Sequence, residues 1–321
     1  MDDRRRQLES WCEAQLGPVS AFEVLPVEAS TRRFYRVRTR EASRVAMDAP
    51  PATENNLQFR RLSGLFRDNG VPVPEVFAFD ERGFLLVTDF GDRLFSAVYA
   101  DGGEEGALEL AIRALARIQA IPAEAVPPYT AQRFRDELEI FTEWLVGALL
   151  DGSPPAFLPD VWRALVDATQ AQPTVTVHRD YHSRNLLLRD DGGLGIVDFQ
   201  DALAGPVTYD LVSLLRDCYH VFPEEEVARW RTRYRALTDA GMAGADFARA
   251  FDLTGVQRHL KAAGIFARLK ERDGRDSHLA DIVPTLSRVV AVGRAYPETR
   301  RLAEWIDGDV LPRAKAATCA Q

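Results

Sequence analysis

Two aspartates and one asparagine have the types and spacing that phosphoryl transfer requires. Asp180 ends the run VHRD at residues 177–180, Asn185 follows five residues later, and Asp198 comes 13 residues after that, at the end of an apolar run. Transfer of a terminal phosphate needs one carboxylate beside the acceptor hydroxyl and two oxygen ligands for the Mg²⁺ on the nucleotide phosphates. The pattern therefore predicts Asp180 as the catalytic base, Asn185 and Asp198 as Mg²⁺ ligands, and ATP as the phosphate donor.

Each of these residues alone has a simpler interpretation, because an aspartate at the end of a strand often serves as a cap or turn residue. The combination of a strand, H-x-D-x4-N, a hairpin and a second aspartate favours the catalytic interpretation. We expect His178 to organise the loop rather than to catalyse. Asp210 begins an apolar helix, where it is either an N-terminal cap or a buried anchor for the backbone amides of the loop.

The elements around this motif fall into two groups. Residues 1–91 contain mostly strands with one main helix, whereas residues 92–321 are mostly helical, so we predict a bilobal α+β fold with an N-terminal nucleotide-binding lobe and a larger C-terminal catalytic lobe. Strands are predicted at 21–27, 34–39, 44–48, 75–79, 84–88, 175–177, 186–188 and 195–197. Helices are predicted at 5–16, 53–68, 107–120, 131–150, 207–220, 224–238, 245–271 and 277–294, with a loop at 121–130.

Composition limits the class of protein. The formal net charge of −8 argues against a nucleic-acid binder, which is usually basic. Cys12, Cys218 and Cys319 are scattered, so the sequence predicts neither a disulfide framework nor a zinc site. The chain has no signal-peptide core and no apolar run of the ~20 residues that span a bilayer. We therefore expect a cytoplasmic protein that binds no membrane and is a monomer or weak dimer.

The segment after Asp198 is too short to bind a peptide acceptor. Only residues 199–209 lie between Asp198 and Asp210, and they contain no A-P-E sequence, which in protein kinases ends a long substrate-binding segment. Gln200 also replaces the glycine of D-F-G. The acceptor should therefore be a small molecule bound by the helical lobe.

The motif residues resemble the aminoglycoside phosphotransferase/choline kinase superfamily. Further stretches at 29–37, 45–51, 197–202, 257–261 and 272–274 are similar to a bacterial branch that contains the anomeric N-acetylmuramate/N-acetylglucosamine kinases of peptidoglycan recycling. The likeness covers about residues 20–290. It implies a bilobal kinase-like fold, Mg²⁺-ATP between the lobes, and transfer of phosphate to the anomeric C1 hydroxyl of one or both sugars. Two alternatives stay open: another kinase of this fold for an amino sugar, amino alcohol or antibiotic, and a nucleotide-binding pseudokinase.

The sequence departs from the kinase pattern at the third strand. That strand normally ends in a lysine that contacts the nucleotide phosphates, but here it ends in Asp48. Arg32 and Arg33, in the preceding hairpin loop, are the predicted substitutes, or else they are solvated surface residues. The resemblance also implies that the linker Thr88, Asp89 and Phe90 binds the adenine edge, while Glu54 receives no role.

The acceptor pocket is predicted from residues that follow the motif or share its lobe. Gln200 and Asp201 directly follow Asp198 and are expected to face the sugar. His182, Arg216 and Arg258 are further candidates, although the run 257–261 is also typical of an ordinary helix turn with a solvated basic face, which is the favoured interpretation for Arg258 alone.

Overall fold

The computed structural model describes residues 3–26, 31–238 and 240–319. The chain forms two compact units: the first contains residues 1–118 and 184–201, and the second contains residues 119–183 and 202–321. The predicted lobe boundary between residues 91 and 92 stays a prediction. Of the described helices, none is both long and apolar enough to cross a bilayer.

The first unit is organised around an antiparallel five-stranded sheet of order β1-β2-β3-β5-β4. The strands are β1 Ala21–Leu25, β2 Arg33–Arg38, β3 Ser43–Asp48, β4 Val76–Asp80 and β5 Phe84–Thr88. Alternate residues of β2 and β5, including Tyr35, Val37, Phe84 and Leu86, pack with helix α1, Asp3–Leu16, in one apolar cluster.

The rest of the first unit comprises three helices and a small hairpin. They are α2 Asn56–Asp68, α3 Phe95–Ala100 and α4 Glu104–Ala120, the last of which extends into the second unit, together with strands β7 Leu186–Leu188 and β8 Leu194–Ile196. Helix α2 begins where Asn55 accepts a hydrogen bond from the amide of Gln58. The β7–β8 hairpin connects the two predicted metal ligands, Asn185 and Asp198.

The second unit is a helical assembly around one long helix, α9 Gly244–Glu271. Its other helices are α5 Ala131–Ile140, α6 Leu158–Gln170, α7 Tyr209–Leu215, α8 Glu224–Leu237, α10 Leu279–Gly293, α11 Pro297–Trp305 and α12 Leu311–Cys319. Strands β6 Thr174–Val177 and β9 Leu203–Pro206 pair antiparallel, and a 3-10 turn spans Ala123–Ala125. Helix α9 comes so close to Phe141 that a Cβ on Gly264 would lie 2.6 Å from the Phe141 backbone nitrogen.

The predicted α+β class and its two types of lobe are confirmed. Some predicted elements were wrong in extent. The helix predicted at 131–150 is α-helical to Ile140 and π-helical over Phe141–Leu149, and the helix predicted at 207–220 is only Tyr209–Leu215. Helices α3, α6, α11 and α12 and strand β9 were missed. Val27, at the end of the first predicted strand, lies outside the described residues.

Candidate functional site

The loop after β6 is fixed by a buried carboxylate. Asp210 on α7 accepts hydrogen bonds from the backbone amides of His178, at 2.6 Å, and Arg179, at 2.9 Å. The anchor interpretation of Asp210 is therefore confirmed over the simple helix cap. Arg179 has φ +80°, a value that few non-glycine residues adopt. Two amide contacts on one rigid helix stabilise this strained turn, and the turn positions Asp180.

Asp180 is ionised at any pH near neutrality. Burial raises the pKa of its carboxyl group, but the positive charges of Lys261, His182, Arg179 and Arg258 outweigh that effect and lower the pKa to about 2. Such a carboxylate orients a hydroxyl strongly but is a weak base. It therefore suits a reaction in which the proton moves late, after the oxygen has begun to bond to phosphorus.

Two of the cations that lower the pKa of Asp180 belong to a buried ion cluster. Glu137 of α5, which is 5% exposed, lies 2.9 Å from Nη2 of Arg179 and 2.9 Å from Nζ of Lys261, and it also accepts a hydrogen bond from the Tyr129 hydroxyl. Burial raises the pKa of Glu137, but Lys261 and Arg179 lower it more, so the net shift is downward. The cluster joins α5, α9 and the loop, and it fixes two of the cations that act on Asp180.

Asp180 lines a cavity of about 140 Å³ within the second unit. Of the predicted acceptor residues, His182, Arg216 and Arg258 also line it. The charged lining residues, leaving the histidines aside, are three cations and two carboxylates: Arg216, Arg258, Lys261, Asp180 and Asp217. The second histidine of the lining, His259, stays neutral because burial lowers its pKa to about 3. The cavity is thus more cationic than anionic.

In the first unit, the β7–β8 hairpin brings the two predicted metal ligands together. Leu186 pairs with Ile196, and the amide of Val197 donates to the carbonyl of Asn185 at 3.0 Å. Asp198 has φ +64°, and its side chain is 45% exposed. A carboxylate and a carboxamide at neighbouring strand ends are hard oxygen donors, and Mg²⁺ is typically held by one or two such side chains plus substrate phosphates. The residues present therefore fit Mg²⁺.

The structure explains how the chain accommodates Asp48 in place of lysine. Asp48 is fully buried, and it accepts hydrogen bonds from Arg4 at 2.6 Å and from Arg33 at 2.7 Å. Two guanidinium groups thus compensate a charge that would otherwise repel phosphate. Arg33 lies with Asp48. The two predicted substitutes for lysine therefore have different environments.

Arg32 lies next to the predicted metal ligand. Its Nε is 3.2 Å from a carboxylate oxygen of Glu54, and its Nη2 is 3.8 Å from Oδ1 of Asp198. Its side chain is only 15% exposed, which argues against a solvated surface residue. Sequence reasoning gave Glu54 no role because the lysine it would pair with is absent. In the structure, Arg32 of the loop between β1 and β2 forms an ion pair with Glu54 in place of the missing lysine.

The remaining predicted residues lie in the first unit as well. Gln200 donates from its amide to Asp198 at 2.8 Å, and Asp201 follows it. Thr88 ends β5, Asp89 accepts hydrogen bonds from Arg36 and Ser43, and the ring of Phe90 packs on Gly195 of β8. These contacts describe the environment of each residue, and their assignment to adenine or sugar stays a prediction.

Sequence reasoning missed the charged residues that depend on tertiary contacts. Glu137, Lys261 and Asp217 carried no local motif. One signal was available: Lys261 follows Arg258 by three residues, which places both on one face of a predicted helix. No comparable signal was present for Glu137, which is 124 residues from Lys261.

Comparison with known proteins decides the family. The profile of the phosphotransferase enzyme family matches residues 21–251, well over half of the chain. The chain belongs to this family. An N-acetylmuramate/N-acetylglucosamine kinase from Pseudomonas aeruginosa is 39% identical to it, over 94% of this chain and 96% of the relative. A kinase of the same name from Neisseria meningitidis is 36% identical, over 92% of each chain. The resemblance inferred from the motifs is therefore confirmed, and this protein is an ATP-dependent phosphotransferase.

Solved structures show the same fold. The choline kinase LicA from Streptococcus pneumoniae superposes with a TM-score of 0.66 at 16% identity, covering 92% of this phosphotransferase and all of that chain. The ADP-bound aminoglycoside phosphotransferase APH(2'')-Ib gives a TM-score of 0.59 at 14% identity, covering 90% and 98%. At these identities the likeness concerns the fold, and the acceptor has to be inferred from the site.

Proposed function

We propose that this phosphotransferase transfers the terminal phosphate of ATP to the anomeric C1 hydroxyl of N-acetylmuramate, N-acetylglucosamine or both, as a cytoplasmic step of peptidoglycan recycling. The names of the relatives at 36–39% identity support the sugar class. Support from the molecule itself comes from the cavity that Asp180 lines.

The charge of that cavity carries the proposal. Arg216, Arg258 and Lys261 line it together with only two carboxylates, Asp180 and Asp217. A pocket for choline or an aminoglycoside would need surplus negative charge among its lining residues, whereas this lining has three cations against two carboxylates. A neutral sugar or a sugar acid is compatible with this charge. The cavity therefore favours N-acetylated sugars over cationic acceptors.

The pKa of Asp180 supports the anomeric position. A base with a pKa of about 2 removes a proton most readily from an acidic hydroxyl. The anomeric hydroxyl is part of a hemiacetal and is more acidic than the other ring hydroxyls. In the proposed reaction this oxygen bonds to the terminal phosphorus, the bond from that phosphorus to the bridging oxygen breaks, and ADP leaves. The hydroxyl proton passes to Asp180 late in the transfer and then to solvent.

The side chains of the first unit are assigned to the nucleotide. Asn185 and Asp198 would hold Mg²⁺, which when bound neutralises phosphate charge. Arg32 supplies a further positive charge beside Asp198, and Glu54 fixes its orientation through the ion pair at 3.2 Å. Arg32 rather than Arg33 thus replaces the missing lysine in this proposal, since Arg33 compensates Asp48.

Release of ADP tests the proposal directly. Purified protein with Mg²⁺-ATP should release ADP with N-acetylmuramate or N-acetylglucosamine, and not with choline or an aminoglycoside. Glucosamine is the matched control, because it differs from N-acetylglucosamine only by a free, cationic amine. Turnover of glucosamine, choline or the aminoglycoside would support another kinase of this fold. Nucleotide binding without ADP release from any acceptor would support the pseudokinase alternative, which the missing lysine first suggested.

A further inference from the structure

The three cations of the cavity differ in how their charge is compensated. Lys261 lies 2.9 Å from Glu137, and Arg216 lies 2.9 Å from Asp252 and 3.2 Å from Glu224. Two of the three positive charges are therefore already paired with carboxylates outside the cavity lining.

Arg258 is the exception. Within the described ranges 3–26, 31–238 and 240–319, it makes no salt bridge, and its guanidinium group packs on the ring of Tyr209. It is only partly exposed and it lines the cavity. A partly buried guanidinium group that makes no close ion pair is stabilised when a ligand supplies an anion. This arrangement is typical of a preformed site for an anionic group.

The guanidinium group is also held in place. Its carbon lies 4.8 Å from the centre of the Tyr209 ring, and Tyr209 is fully buried, with its hydroxyl 3.0 Å from that of Tyr129. Residues Arg258, Lys261, Ala262 and Ile265 occupy one face of α9 at i, i+3, i+4 and i+7, and all four line the cavity. Burial lowers the pKa of Arg258, but Tyr209 and Asp180 raise it, and the net shift is upward. The charge is therefore permanent and its position is set by a rigid helix.

The two proposed sugars differ in one anionic group. N-acetylmuramate carries a lactyl ether with a carboxylate, whereas N-acetylglucosamine has a hydroxyl at that position. A planar guanidinium group binds a carboxylate through two parallel hydrogen bonds. We propose that Arg258 binds the lactyl carboxylate and is the residue that makes this enzyme prefer N-acetylmuramate to N-acetylglucosamine. This inference rests on the proposed function.

The test compares both sugars in matched variants. In Arg258→Gln, kcat/KM for N-acetylmuramate should fall at least about 30-fold, the lower end for truncating one partner of a buried charge pair. For N-acetylglucosamine the fall should be at least about tenfold smaller, since no carboxylate contact is lost. Arg249→Gln, at an exposed position of the same helix, is the control and should leave both values unchanged. N-acetylmuramate with its carboxylate converted to an amide should be a poor substrate for the unmodified enzyme and should be insensitive to Arg258→Gln.

Different failures point to different errors. An equal loss for both sugars in Arg258→Gln would overturn the inference and would indicate that Arg258 positions Asp180 instead. Unmodified enzyme that phosphorylates only N-acetylglucosamine would also overturn it, although the proposed function would stand. Failure to phosphorylate either sugar would refute the proposed function itself. Should Arg258→Gln not fold, Arg258→Lys keeps the charge, and an unchanged ratio of the two kcat/KM values in that variant would contradict bidentate recognition.

Discussion

Glu137 should be the most sensitive buried charge in the second unit. Its carboxylate compensates both Arg179 and Lys261, each at 2.9 Å, and accepts the Tyr129 hydroxyl. Glu137→Gln preserves shape but removes the carboxylate that lies 2.9 Å from each of these two cations. Removing one partner of a buried ion pair costs about 3–5 kcal/mol. Glu137 is only 5% exposed, and its loss affects two cations. We therefore expect a loss near the upper end of that range in the free energy of unfolding.

Urea unfolding followed by tryptophan fluorescence measures this loss in the appropriate unit. The second unit contains four of the five tryptophans: Trp144, Trp162, Trp230 and Trp305. The midpoint should shift to lower urea with little change in slope, since the surface exposed on unfolding is the same. Glu139→Gln is the matched control, because Glu139 is exposed on the same helix, and it should change stability by about 0.5 kcal/mol or less.

A second substitution shows whether Glu137→Gln destabilises the protein through the loss of a counter-charge or through a general packing defect. Adding Lys261→Met to Glu137→Gln removes one of the two cations that Glu137 contacts, so part of the lost stability should return. A loss of less than about 1 kcal/mol in Glu137→Gln would refute the reasoning, because an exposed pair typically contributes that little. Additive destabilisation in the double variant would refute it as well.

The other predictions concern Asp180 and close packing. Asp180→Asn should lower kcat by about 10²–10⁴-fold while ADP binding is retained, measured by ADP release and by nucleotide titration. The pKa of Asp180 is depressed from 3.8 to about 2, so its stabilisation is complete above pH 4 and lost as the pH falls through 2. The stability difference between the parent protein and Asp180→Asn should therefore be about 2 kcal/mol at pH 5 and should fall below about 0.5 kcal/mol near pH 2. Gly264→Ala should destabilise by at least about 1–3 kcal/mol, because its Cβ would lie 2.6 Å from a backbone nitrogen. Gly64→Ala, in helix α2 with no atom within 4 Å, should stabilise by up to about 1 kcal/mol, and thermal unfolding distinguishes the two.

Local patterns predicted the parts of the fold whose cause is local. The strands of the first sheet were predicted because short runs of strand-forming residues are bounded by turn residues, as at Arg33–Arg38 of β2. Strand β9 was missed because its sequence, LAGP, has no strand signal, and it is a strand only because β6 pairs with it. Helix α6 is different: Leu158, Val161, Trp162 and Leu165 form a clear stripe that the sequence alone could have revealed.

The same distinction applies to the candidate site. Asp180, Asn185 and Asp198 were identified because one loop and one hairpin fix their spacing. Arg32 was identified as a candidate, but its partner Glu54 and the separate environment of Arg33 depend on how α2 and β3 pack. Residues 28–30 of the same hairpin loop lie outside the described residues. Glu137 joins Arg179 and Lys261 across 42 and 124 residues of sequence, and spacing carries no information about such contacts.

Product analysis tests the central claim most directly. After incubation with Mg²⁺-ATP, N-acetylmuramate and N-acetylglucosamine, the sugar products should be examined by ³¹P and ¹H NMR. The account predicts a sugar phosphate whose anomeric proton couples to phosphorus, formed in amounts equal to the ADP released and at least about 100-fold more slowly with Asp180→Asn. Phosphate on any other hydroxyl, or the same product from Asp180→Asn at an undiminished rate, would contradict it.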